Sequence, residues 1–84
     1  MDHLVCVIHP FVVNQDVAVY KNGECIKQVE CPLTELKDKM YALCKEYNIH
    51  DISLGGNQLY GLKLRDDFAA TKYSKDYPIT VSFF

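Results

Sequence analysis

"DISLGGNQLYGLKL", residues Asp51 to Leu64, decides how this chain folds. The short apolar run from Asp51 to Leu54 breaks at Gly55-Gly56-Asn57, and a helical pattern begins near Gln58. A strand, a tight turn and a helix in that order form half of a strand–helix–strand crossover. Such a crossover returns to a parallel strand and is right-handed. The turn itself has two readings. It can hold an anion, because a helix N-terminus offers free N–H groups and glycine lets a ligand approach the backbone. It can equally be a sharp bend, with glycine supplying positive φ and Asn57 capping the helix.

Upstream, "CPLTELKDKMYALCKEYNIH" carries Leu36, Met40, Leu43, Cys44 and Tyr47 at helical spacing, one apolar stripe. Pro32 fits before or in its first turn, Thr34 suits the N-cap, and Asn48 suits a left-handed exit. Further upstream, Asn22-Gly23 is the strongest short hairpin signal, since a type I′ turn needs positive φ at both central residues. "HLVCVIHPFVV", His3 to Val13, is apolar on both alternating faces, the pattern of a central strand covered on both sides. Beyond the hairpin, Cys25 and Ile26 begin a more polar strand toward the sheet edge.

Downstream, the second helix is expected to run into the low seventies, burying a combination of Leu59, Leu62, Leu64 and Phe68. Gly61 weakens it by about 1 kcal/mol relative to alanine. "ITVSFF" alternates as a final strand after Pro78. The expected fold class is therefore α/β (α+β), one domain over residues 1–84, in the order β-β-β-α-β-α-β. Three antiparallel strands followed by two crossovers place the first strand centrally, in sheet order 3-2-1-4-5.

The 84 residues suffice for one two-layer core, burying roughly 60–65% of the unfolded surface. Nearly half are apolar and about a quarter charged, a globular rather than disordered composition. A formal charge of −2 argues against broad electrostatic capture of nucleic acid. A local basic patch, Lys63, Arg65, Lys72 and Lys75, follows the glycine turn, diluted by Asp66, Asp67 and Asp76. No apolar run approaches the ~20 residues that span a bilayer. "MDHLVCVIHPF" lacks a basic leader segment and a small-residue cleavage site, so a cytoplasmic location is expected. Cys6, Cys25, Cys31 and Cys44 then read as free, buried thiols, and without a C-x-x-C no metal site is expected.

"VCVIHPFVVNQDVAVYKNGECI" resembles the opening hairpin of the ribonuclease-H-like superfamily, and the element order resembles a minimal version of that fold. The "IHPF" strand and the Gly-Asn turn are also similar to small proteins encoded by phages of Gram-positive bacteria. A ribonuclease-H-type nuclease holds two metal ions on carboxylates, one at the centre of the first strand and another near the end of the fourth. Here the first strand has no acid, His9 stands where the resemblance wants Asp, and the fourth offers Asp51 only at its start. Two ligands short, a two-metal site cannot be built. No enzymatic activity and no cofactor are expected.

The candidate ligand-binding residues are Gly55, Gly56, Asn57, His9 and Lys63. His9 follows the first strand at its carboxyl end, where imidazole can bond a phosphate. At the other extreme, "PITVSFF" ends on an apolar edge strand, so Val81, Phe83 and Phe84 are expected at the interface of a homodimer. The phage resemblance implies a non-catalytic binding protein that inhibits or modulates a host protein of defence or replication. A phospho-ligand or nucleotide sequestering protein and a nucleic-acid-associated accessory protein are the alternatives.

Overall fold

The computed structural model describes residues 2–9, 11–70 and 75–84. Asn22 and Gly23 both adopt positive φ, 54° and 78°, as the type I′ turn requires. They join β2 (Asn14–Lys21) to β3 (Glu24–Pro32). β1 (His3–Ile8) pairs antiparallel with β2 and parallel with β4 (Asp51–Gly56). β5 (Thr80–Phe83) pairs parallel with β4, which completes the expected order β3-β2-β1-β4-β5.

The first helix, α1 (Leu36–Tyr47), buries Leu36, Met40, Leu43 and Cys44, with Tyr47 packed against their margin. Its entry differs from expectation. Leu33–Glu35 forms a single 3-10 turn, so Thr34 lies inside that turn and caps nothing. The exit is as expected, with Asn48 left-handed at φ 56°. Lys21 Nζ donates to the Tyr47 carbonyl at 2.9 Å, which places a cation at the negative end of the helix.

The second helix, α2 (Gln58–Ala69), stops short of the low seventies because Ala70 is extended. Residues 71–74, with Lys72 of the basic patch and Tyr73, lie outside the described residues. Only Gly61, Leu64 and Phe68 of α2 are buried; Leu59 is 81% exposed and Leu62 38%. The apolar surplus of this helix therefore faces outward.

Both crossovers step the same way along the sheet, the first from β3 past β2 and β1 to β4 and the second from β4 to β5. Two right-handed connections in one direction put both helices on the same face. Leu4, Cys6, Ile8, Val17, Val19, Ile52 and Leu54 are buried on that face against α1 and α2. The expectation that β1 is covered on both sides is thus corrected: its opposite face carries Val5, half-buried, and Val7, 39% exposed. β1 also ends at Ile8, and Phe11, Val12 and Val13 belong to the loop before β2. Of the four free thiols, Cys6, Cys31 and Cys44 are buried as expected, whereas Cys25, on the exposed edge strand, is not.

Candidate functional site

The glycine turn lies at the carboxyl end of β4, beside the end of β1, and its two glycines have different reasons to be there. Gly56 has φ 83°, and a Cβ on it would overlap the Ile8 carbonyl oxygen and come within 2.8 Å of Ile8 N. Only glycine permits that approach of two parallel strands. A Cβ on Gly55 would meet only the Phe84 ring, at 2.8 Å, a side chain that can move aside.

Asn57 performs the capping predicted for it. Its side-chain oxygen accepts from Tyr60 N at 3.1 Å, and its own N–H donates to the Ile8 carbonyl at 3.0 Å. Two of the backbone donors near the helix start are therefore already used. The hollow against the turn, bounded by Leu54 to Gln58, Phe83 and Phe84, measures about 50 Å³. Pockets for small organic ligands run to roughly 300 Å³ and above, so this one admits a water rather than a nucleotide.

His9 sits one residue beyond the Ile8–Gly56 pair, so it is close to the turn along the backbone. Both backbone groups of His9 are committed to Gln15. His9 N donates to Gln15 Oε1 at 2.9 Å, and Gln15 Nε2 donates to the carbonyls of His9 (2.9 Å) and Val12 (2.7 Å). Gln15 is fully buried, and among the described residues it is the only buried polar or charged one. Its amide substitutes for a missing strand partner and ties the backbone of His9 and Val12 to the start of β2. A further bond, Leu33 N to the Val13 carbonyl at 2.8 Å, ties that loop to the entrance of α1.

This pinned loop presents apolar side chains to solvent. Phe11 is 99% exposed, Val13 76% and Val12 51%. With Pro32, Leu33 and Thr34 they line an open groove of about 360 Å³. Leu59 and Leu62 of α2, Phe83 at the end of β5 and the adjoining Phe84 lie at the same pole, the carboxyl end of the parallel strands.

Lys63 is not part of the turn. It lines a separate groove between the two helices, with Leu33, Thr34, Lys37, Tyr60, Leu64 and Asp67, where Lys37 pairs with Asp67 at 3.7 Å. The interface residues predicted at the C-terminus do lie at the sheet edge, yet they are partly spent within the chain. Val81 is half-buried, Phe83 rests against Gly61 with Arg65 5.9 Å from its ring centre, and Phe84 covers Gly55.

The opposite pole is closed by Tyr77. Its hydroxyl lies 2.9 Å from the Cys44 carbonyl and 2.8 Å from that of Ile49, and its ring stacks on His50 at 4.3 Å. Burial raises the Tyr77 phenol, with Cys44 and Tyr41 adding to the effect. Burial likewise pushes the Cys6 thiol up to about 11, helped by Cys31 and Asp16, and the Cys44 thiol to about 12, helped by Asp51. Thiols held protonated in this way are packing groups rather than nucleophiles. Among the described residues no three His, Cys, Asp or Glu side chains group as a metal set. No helix among them is long and apolar enough to cross a membrane.

Sequence reasoning missed Gln15 and the loop it holds. A signal was present: Gln15, Val17 and Val19 share one face by alternation, so a polar group was bound for the core. Fold and site together define a two-layer domain, a five-stranded sheet with helices on one face and an apolar rim at the carboxyl end of its strands. Compared with protein-family models, curated proteins and solved structures, the chain matches none.

Proposed function

We propose that this protein is a non-catalytic binding module that docks another protein through the apolar rim around Phe11. The observation that supports the reading is the Gln15 network, which anchors the backbone at His9 and Val12, on either side of a fully exposed phenylalanine. Preorganisation of this kind spares a binding surface the entropy of ordering its loop. In the setting that the phage and ribonuclease-H-like resemblances imply, the partner is a host protein of defence or replication and the location is cytoplasmic. The phospho-ligand alternative has less support, since the hollow at Gly55-Gly56-Asn57 is small and Lys63 lies in another groove. The nucleic-acid alternative leans on Lys63, Arg65 and Lys75, all among acidic neighbours.

The test is capture from host lysate with wild-type protein and with Phe11→Asp, both checked for the same thermal midpoint. A partner held by the wild type and lost from Phe11→Asp supports the reading; equal capture by both rejects it. A thermal shift with nucleotides, unaffected by Phe11→Asp, would favour the phospho-ligand alternative instead.

One observation favours self-association as a second property. The two sheet edges are protected unequally: β3 carries Glu24, Lys27 and Glu30 and faces a register shift at Val19/Tyr20 of β2, whereas β5 has no charge. An uncharged edge is the one that pairs with a second copy across a two-fold axis. Thr80 and Phe84 donate toward β4, so by alternation the Val81 N–H points outward. Val81→Pro removes that outward donor and leaves the β4 ladder intact. Sedimentation should show a dimer for the wild type and a monomer for Val81→Pro.

A further inference from the structure

We propose that the open face of the sheet is a second docking surface, and that its occupant is a basic amphipathic helix of another protein. The register places the outward side chains in rows. Gln28, Ala18, Val5, Ser53 and Ser82 cross the middle, and Val7 stands beside Gly55 in the next row. The centre is therefore a shallow trough of small and β-branched side chains. Its ends are walled by the stacked rings of His3 and Tyr20, 5.3 Å apart, and by Phe84, 70% exposed over Gly55.

Among the described residues, the charged side chains that the strand register places at the margins of this trough are acidic. Asp16 and Glu30 are paired across β2 and β3 at one margin, and Asp51 starts β4 at another; all three are exposed. Among the described residues the strand cations point the other way. Lys21 bonds the end of α1 and Lys27 pairs with Glu46 of α1, so both serve the helix side. A strip of Ala18, Val5 and Val7, flanked by Gln28 and Ser53 and with an acidic rim, is complementary to a narrow apolar stripe flanked by Lys or Arg.

The same charges select the kind of occupant. A second copy laid face to face would bring its Asp16, Glu30 and Asp51 against the same residues, and like charges oppose that. Nucleic acid and an anionic lipid surface are repelled for the same reason. An extended segment finds no backbone partner on a sheet face, whereas a helix packs there through side chains alone. The six residues of β1 span about 20 Å, the length of about 13 helical residues. The covered face shows the same match, with two helices of 12 residues each.

The inference is independent of the rim around Phe11, and its test uses that independence. Two synthetic helices of about 16 residues share one leucine and alanine stripe, with lysine margins in one and glutamate margins in the other. Each is titrated into the isotope-labelled full chain and followed by amide NMR shifts. The lysine peptide should move the resonances of Val5, Val7, Ala18 and Ser53. It should bind at least about tenfold more tightly than the glutamate peptide and weaken as salt rises. Asp16→Lys combined with Glu30→Lys should erase that preference, and Val7→Lys should abolish binding, both with an unchanged thermal midpoint. Phe11→Asp should leave the binding intact. Equal affinity for both peptides, no binding of the lysine peptide, or shifts confined to Phe11–Val13 or to β5 would each overturn the proposal. So would shifts of the open face with protein concentration alone, which would assign that face to a second copy.

Discussion

The two faces of one sheet are built from the same strands and have opposite fates. On the helix side, alternate residues of β1, Leu4, Cys6 and Ile8, are at most 1% exposed beneath α1 and α2. On the other side the intervening residues, Val5 and Val7, remain partly in solvent. Residue type does not separate them, since valine is as apolar as cysteine or leucine for this purpose. Handedness does: two right-handed crossovers stepping in one direction leave nothing for the second face. An apolar residue thus reports that a position is suited to burial, and the path of the chain decides whether burial occurs within the molecule or against a partner.

The comparison is broken most directly by truncating one side chain on each face. Phe68→Ala, beneath the helix layer, should cost about 3–5 kcal/mol in urea unfolding, while Val7→Ala should stay within about 0.5. Similar losses for both would show that the open face is covered in solution. At the seam between β1 and β4 the two glycines should differ as well. Gly56→Ala, strained in φ and colliding with Ile8, should cost about 3 kcal/mol. Gly55→Ala, meeting only a movable ring, should cost less than about 1 kcal/mol.

Gln15→Leu tests the polar exception on the covered face. It removes the amide partner of the part-buried backbone groups of His9 and Val12, so a loss of about 1–2 kcal/mol is expected. Faster amide exchange confined to residues 9–13 should accompany it. Unchanged exchange there would show that the loop keeps its shape without Gln15.

Thiol chemistry sharpens the contrast further. One cysteine, Cys25, should react quickly with a thiol reagent at neutral pH, and Cys6, Cys31 and Cys44 only on unfolding. The folded state holds the Cys6 and Cys44 protons more tightly than the unfolded chain, whose thiols titrate near 9.0. Stability is therefore fully present below that pH and falls as pH rises toward 11 and 12. Urea midpoints measured across that window should decline; a flat profile would mean that the thiols ionise without cost.

The element order was legible because its signals are local. Asn22-Gly23, the stripe from Leu36 to Cys44, Asn48 and the break at Gly55-Gly56-Asn57 each depend on a few neighbouring residues. The end of α2, the 3-10 turn at Leu33–Glu35 and the loop after Ile8 were less legible, since competing contacts set those boundaries. Leu59 and Leu62 fit a helical stripe, yet the helix turns its buried side toward Leu64 and Phe68, so the stripe overstates the core.

By itself the sequence determined the strands, the helices and the order of the sheet. Backbone propensity and the hand of a crossover act on the chain without reference to distant residues. Tertiary structure alone decided which apolar residues stay outside, that Gln15 bonds the backbone of His9 and Val12, and that Gly56 answers to Ile8. Each of these depends on what the remainder of the fold brings within contact distance, and that distance is set by packing.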